Sequence, residues 1–510
     1  MNEAIILGFL IFLPATLGFI GCVFPKITFP LSITMLAGYA LSSLYALNHD
    51  INYAFTLIGE GGIQFSIDRY SFPLIFGSSL TLLIVFGLFS KRFSHYYYQV
   101  CLVLLTALLV SFSTVDLISL FIALELLGFT AFLLIADKND KRALFLSFQY
   151  LIGGGLAMLI YLIGVIQAFT FTGTFLIADL GNAPETALCL IIAGLLTKAG
   201  VFICGLWVPN VYSHANCQSA AVLSGCVTCA AIAPIERMSV TLAPIGETLS
   251  VLGVLSAVIA AIYAVFERDS GRALGWSSVS QLGIAILSPT YGCLYAMQHG
   301  ICKTLLFSTL HNDIDEAQIT KSDGARNNIR NHEETTREIV RVLTFIMASL
   351  SIMGFPLLAG FVTKAWIKND LADEAKIIFT TSALLTSTVY ARLIFDRVNT
   401  LRTNYDLPNY FASLKLPNEL KMSISASRSL ILIFSIIMLV ITSLSQIDLY
   451  TSYSIRSAIL SAFLGGILFT SVVGIQADQW VKPVTRTLDL VGAPFLVAAL
   501  LLANLLYFKI

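Results

Sequence analysis

The chain is a succession of long apolar runs broken by short polar stretches. An α-helix needs about twenty predominantly apolar residues to cross the hydrocarbon core of a bilayer, and the runs fit that length. The pattern predicts spans at about 4–24, 28–47, 71–90, 97–114, 116–136, 143–170, 186–208, 219–235, 246–266, 273–290, 292–310, 340–362, 375–395, 429–447, 455–475 and 487–508. The expected architecture is an all-α polytopic membrane protein of about 14–16 transmembrane helices, with residues 1–510 forming a single membrane domain. Residues 51–68, around Gly59-Glu60-Gly61-Gly62, mix apolar and polar positions and predict a short external hairpin. The polar stretch 312–338 is expected to be the main cytoplasmic loop. The apolar segment from Ala4 to Phe24 lacks a basic leader and a small-residue cleavage site, so it reads as the first span.

Short cytoplasmic loops collect Lys and Arg, which tests the count. Loops after odd-numbered spans hold twenty of the thirty basic residues, including Lys91, Arg92, Lys138, Lys141, Arg142, Arg268 and Arg272. Loops after even-numbered spans hold only Arg69, Arg237, Lys368, Lys376 and Arg456. A miscounted span in the middle would scramble this asymmetry, and both termini are expected to be exterior.

Composition narrows the classes. Hydrophobic residues make up 57% and charged residues 12%, against roughly a quarter charged in soluble domains, so lipid has to cover part of the apolar surface. Lys+Arg and Asp+Glu balance at 30 each, which gives no field to attract nucleic acid. The nine cysteines lie mostly in apolar runs and show no zinc or cluster spacing, and Cys226 and Cys229 read as packing residues. No metal and no cofactor are expected, and the loops offer no catalytic cluster of the kind a membrane-embedded head-group transferase would need.

Once the basic residues of loops and span ends and Lys509 are set aside, four basic residues are assigned to membrane interiors, Lys198, Lys303, Lys364 and Arg392, and one acid, Glu125, joins them. A charge at the centre of a membrane helix costs about 2.5–3.5 kcal/mol by insertion scales, so one kept there faces protein, a partner or a water-filled path. Arg392 lies near a helix end and can snorkel. Glu125 sits at the middle of its span, where a buried carboxylate suits a proton relay. Lys198 precedes Gly200, Gly205 and Pro209, and Lys364 follows Gly354, Pro356 and Gly360. Helices broken near 198–210 and 354–366, in different halves of the chain, match a transporter built from two inverted repeats with an ion site at the breaks. His299 and Lys303 are four apart on one helix face and can share a polar seam with Ser278, Ser280 and Gln281.

LFIALELLGFTAFLLI around Glu125, LLTKAGVFICGLWVPNVYSHA around Lys198, WSSVSQLG at 276–283, HGICKTLLF at 299–307 and GFPLLAGFVTKAWI at 354–367 together resemble the proton-antiporter family. That family comprises the antiporter-like subunits of respiratory complex I and the large membrane subunits of Mrp-type cation/proton antiporters. The resemblance runs from about residue 60 to 395 in order and spacing, and divides the chain into antiporter-like halves at 97–240 and 245–395. It implies that Glu125 and Lys198 form an input pair, that His299 and Lys303 belong to a central seam, and that Lys364 is the terminal ionisable group. VPNVY at 208–212, with Asn210 and Tyr212 where many complex I members carry Asp and His, and TGTFLIADLG at 172–181 are similar to the Mrp and membrane-hydrogenase branch. The chain departs from the family at Cys229, where a neutral thiol stands in place of a Lys. Ser224 and Thr228 on the same helix can hold water there, carrying protons without a fixed charge.

The resemblance implies a proton-translocating subunit of the Mrp type, exchanging protons for Na+ or K+, in the inner membrane of a bacterium beside other membrane subunits and the lipid bilayer. The rivals are a proton-pumping subunit of an NADH/quinone-type complex and a structural subunit that no longer pumps. Covalent chemistry by the chain itself is not expected.

Overall fold

A computed structural model of the chain describes residues 2–57, 63–89, 95–310, 327–404, 449–472 and part of 431–440. The span expected at 487–508, most of the one at 429–447, the hairpin tip and most of the 312–338 loop lie outside the described residues. Helices stand at the other expected spans. They are α1 (Asn2–Val23), α2 (Pro25–Asn48), α3 (Ser71–Phe89), α4 (His95–Ser113), α5 (Leu117–Ile135), α6 (Lys141–Thr172), α7 (Glu185–Ala199), α8 (Trp207–His214), α9 (Cys217–Gly225), α10 (Ile232–Thr241), α11 (Ala243–Phe266), α12 (Ser270–Ala285), α13 (Gly292–Leu310), α14 (Asn327–Met353), α15 (Ala359–Asp370), α16 (Asp373–Asn404) and α17 (Ser452–Val472). Strands β1 (Tyr53–Leu57) and β2 (Ile63–Ile67) pair antiparallel, with Tyr53 opposite Ile67.

Nine described segments are long and apolar enough to cross a membrane by themselves. The number is smaller than the span count because two expected spans lie wholly or mostly outside the described residues and several other helices are short, interrupted or more polar. One is α7–α8, interrupted at Gly200, and another is α14–α15, interrupted between Met353 and Ala359. The stretch 217–241 passes as one span yet divides into α9, a 3-10 turn at Val227–Cys229, and α10. That third break was not anticipated from the sequence, since it contains no Gly or Pro at the turn itself.

Local chemistry sets many boundaries. Asp116, Asp140, Asp269 and Asn216 cap α5, α6, α12 and α9, each accepting a backbone N–H from the first turn. Gly200 and Gly354 at the breaks have φ of 72° and 85°, a region open to glycine and costly for most residues.

Polarity is arranged inside out. Outer helices carry the apolar surface, with Phe145, Ile152 and Ile163 of α6 exposed. The interior takes α12 and α13, where Ser277, Ser278, Ser280, Gln281, Gln298, His299 and Lys303 are all buried. α13 packs against α3, α9 and α14, and α12 against α11 and α8. Close crossings use small residues: a Cβ on Gly194 of α7 would stand 2.9 Å from the Ala157 carbonyl oxygen of α6. Arg397 of α16 meets Glu338 of α14, both buried, although the loop count treats Arg397 as a loop residue. The hairpin is tied to the bundle end formed by α3, α4 and α5, with Val115 N–H donating to Gln64 O at 3.2 Å.

Candidate functional site

Lys198 sits in the last turn of α7, immediately before the break, and is buried. Its ammonium extends between α5 and α6 to Glu125, 3.9 Å away. Two glycines open that route. A Cβ at Gly128 of α5 would lie 2.9 Å from Lys198 Nζ, and one at Gly154 of α6 would lie 3.2 Å from it. Glu125 corrects an expectation: its side chain is 39% exposed, not buried within the chain. It shares the outer face of α5 with Ile122, Leu126 and Phe129, while Oε1 itself is covered and has no hydrogen-bond partner among the described residues. The pair therefore spans from the interior to an apolar flank of the bundle.

Gly128→Ala is expected to leave folding intact, because the new methyl meets only the end of a flexible side chain, and to reduce ion translocation by displacing the ammonium. Gly155→Ala is the control, since nothing lies within 4 Å of a Cβ there. Equal uptake by the two variants in vesicles would remove the glycine window from the site.

The central groups follow on α12 and α13. Lys303 is completely buried, donates to the Leu274 carbonyl at 2.7 Å and lies 5.6 Å from the centre of the Tyr390 ring. Ser278 donates to the same carbonyl at 3.1 Å. Gln281 donates to Thr386 at 3.1 Å and accepts a short hydrogen bond from Tyr295. The ring of His299 lies parallel to that of Tyr295, 6.5 Å away, and neither ring nitrogen has a partner among the described residues.

Lys364, on the second turn of α15, reaches back across the break to the Met353 carbonyl at 3.3 Å. The corresponding break in α7–α8 is served differently, the Trp207 indole N–H donating to the Thr197 carbonyl at 3.0 Å. Lys198 thus precedes its break and Lys364 follows its own, so the similarity of the two sequence segments does not extend to their register. Neither Lys303 nor Lys364 has a carboxylate within ion-pair distance among the described residues.

Sequence reasoning missed Gln298. Its amide donates to Ser351 of α14 at 3.0 Å, and Thr363 of α15 donates to its carbonyl oxygen at 3.5 Å, which carries the polar seam from α13 to the break beside Lys364. The signal was available in its position next to His299. Ser224 donates to the Ala221 carbonyl of its own helix at 3.3 Å. Cys229 lies in the 3-10 turn with its thiol 3.6 Å from the Ala296 carbonyl, and the Thr228 hydroxyl beside it has no partner among the described residues. Arg392 donates to the Val265 and Ala264 carbonyls at the end of α11, at 2.7 and 3.3 Å, a structural role. Among the described residues no group of His, Cys, Asp and Glu could hold a metal ion.

Comparison with known proteins places this geometry. The family described as NADH:quinone oxidoreductase/Mrp antiporter, TM, matches residues 114–389. NADH-quinone oxidoreductase subunit N of Desulforudis audaxviator (strain MP104C) is 27% identical over 327 residues, covering 58% of this chain and 64% of that protein. The chain therefore matches a little under two thirds of that relative's length. Subunit N proteins of other bacteria show similar identity. Among solved structures, a chain of the Mrp complex from Dietzia sp. DQ12-45-1b has the same fold, with a TM-score of 0.71 at 18% identity over 92% of this chain and all of that one. A chain of respiratory complex I from Thermus thermophilus aligns with a TM-score of 0.63 at 20% identity, covering 86% of this chain and 97% of that one.

Proposed function

Because the chain belongs to the NADH:quinone oxidoreductase/Mrp antiporter transmembrane family, we propose that it is a proton-translocating, antiporter-like subunit of an NADH:quinone-type respiratory membrane complex. One observation carries the reading: Lys198, Lys303 and Lys364, with His299 among them, are buried cations or cation-forming groups held by carbonyls, a ring and a single distant carboxylate. Among the described residues only Lys198 has a carboxylate within ion-pair distance, so structural ion pairing does not account for Lys303 and Lys364. Groups so placed interact through a low-dielectric interior, so a change at one alters proton occupancy at the next.

Glu125 is the entry to this line. A half-exposed carboxylate on an apolar membrane flank requires cover by something other than lipid, and a neighbouring membrane subunit supplies it. Charge on that neighbour would draw Glu125 from Lys198 or push it closer, and the released ammonium would change the field at His299, Lys303 and Lys364. Location in a bacterial inner membrane with both termini exterior fits the distribution of basic loops.

A second reading, exchange of Na+ or K+ for protons in an Mrp-type complex, is favoured by VPNVY, whose Asn210 accepts a hydrogen bond from Arg272 at 2.6 Å. Purifying the native complex through this chain decides between them. Co-purification of NADH-oxidising redox subunits, with uptake driven by NADH, supports the first; their absence, with uptake driven by Na+ or K+ gradients, supports the second. A complex that moves no ions under either drive would make the chain a structural subunit.

The gap at Cys229 adds a prediction. If Thr228 holds water between Lys198 and the His299–Lys303 seam, Thr228→Val lowers uptake more than Cys229→Ala, because only the first removes a hydrogen-bonding group of any strength. Vesicle uptake at matched abundance measures it, and equal rates would mean that the seam closes without Thr228.

A further inference from the structure

The loop count places Glu236 and Arg237 outside the membrane helices, but both are buried in α10, at 1% and 7% exposure. Arg237 is well partnered. It donates to Asp68 at 2.9 Å, to the Ser66 carbonyl at 3.1 Å and to Ser71 at 2.8 Å, which ties α10 to the base of the hairpin. Glu236 is not: neither carboxylate oxygen makes a hydrogen bond of ordinary geometry or an ion pair among the described residues, and the polar groups nearest to it are the Cys293 thiol and backbone N–H. Its Oε1 occupies the space left by the missing side chain of Gly292, at the first turn of α13, beside Cys293.

That location matters because α13 carries the central seam. Along its axis His299 lies seven residues on from Gly292, roughly 10 Å at helical rise. The interval is bordered by Ala296, whose carbonyl faces Cys229, and by the 3-10 turn that holds Thr228 with its unpartnered hydroxyl. On the other side of Glu236, Arg237 and Asp68 lead to Arg69, which is exposed. A buried, unpaired carboxylate thus stands between the hairpin end of the bundle and the polar seam.

We propose that Glu236 is a proton-exchange site linking the seam to water at the hairpin end of the bundle, an inference that rests on the proton-translocating reading above. The carboxylate takes up one proton from water near Asp68 and Arg69 to become a neutral acid. It returns that proton through water beside Cys293 and Thr228 to an imidazole nitrogen of His299, or passes it in reverse, so no other reactant is consumed. The α13 N-terminus and the Arg237 guanidinium stand near the carboxylate when it is charged. The charged and titratable groups around it are Arg237 on its own helix, Asp68 and Arg69 before α3, and Cys293 on α13.

The test uses the whole complex in vesicles, with Glu236→Gln, Glu236→Asp and Glu125→Gln compared at equal abundance and equal melting temperature. Proton uptake and the infrared difference spectrum between acid and alkaline pH are both recorded. The expected result is loss of most uptake in Glu236→Gln, partial retention in Glu236→Asp, and a buried-carboxyl band that disappears in the first and shifts in the second. Normal uptake and an unchanged spectrum in Glu236→Gln, with uptake lost in Glu125→Gln, overturn the inference and leave the proposed function standing. If the wild type moves no protons, the proposed function fails, and the infrared band still decides whether Glu236 exchanges a proton. Should Glu236→Gln not assemble, the band in the wild type and its shift in Glu236→Asp decide, its absence overturning the proposal.

Discussion

Glu125→Gln should cut proton uptake by the assembled complex to a small fraction of the wild-type rate while leaving abundance and melting temperature close to normal. The side chain is 39% exposed on the outer face of α5 and has no hydrogen bond to lose among the described residues, so the amide fits the same space. What disappears is the carboxylate 3.9 Å from Lys198. The ammonium is then a buried cation without a counter-charge, and the neighbouring subunit has no charge through which to act on it. Uptake in vesicles of the Gln variant, at matched abundance, is the measurement. Wild-type uptake would take Glu125 out of the pathway, and a complex that fails to assemble would give the residue an interface role instead.

A large stability effect is expected at Gly300→Ala. α13 crosses α9 there, and a Cβ on Gly300 would stand 2.5 Å from the Gly225 carbonyl oxygen and 3.3 Å from its carbon. Both obstacles are backbone, so no side chain can swing aside and the helices have to separate. Overpacking of a close-packed interior costs about 1–3 kcal/mol, and here the displacement also strains the 3.1 Å hydrogen bond between Thr81 and Thr304 beside the crossing. The expected outcome is a lowered melting temperature in detergent and poor recovery of the complex, and Gly155→Ala again serves as the reference. A normal melting temperature would show that α9 and α13 are free to move apart. Gly128→Ala is the informative contrast, since its new methyl meets only the Lys198 ammonium and should impair transport without lowering stability.

Glycines and prolines near Lys198 and Lys364 located two broken helices, because the left-handed backbone at Gly200 and Gly354 is open mainly to glycine. The break at Val227–Cys229 carries no such marker at the turn and was read as continuous helix. Arg392, expected to snorkel from a helix end, lies well inside α16 (Asp373–Asn404) and is held instead by the last carbonyls of α11. Glu236 and Arg237 were assigned to a loop because hydropathy falls at polar residues whether they meet water or protein. Gln298 went unremarked although it stands beside His299, since a neutral amide costs less in an apolar run than a charge does.

The resemblance of its motifs gave the family, while the apolar runs and the charges within them determined that the chain lives in a bilayer, where the described helices lie and which cations are buried in the bundle. These follow from local quantities, the length of apolar runs and the cost of a charge in hydrocarbon, that need no knowledge of neighbours. Only the tertiary structure decided what each buried group faces. It placed Glu125 on the outer flank with a glycine window behind it, set Lys198 before its break and Lys364 after its own, and brought Glu236 to the first turn of α13. Helical periodicity assigns a residue to a face, but which helix covers that face depends on close crossings such as Gly225 against Gly300, made between segments distant in sequence.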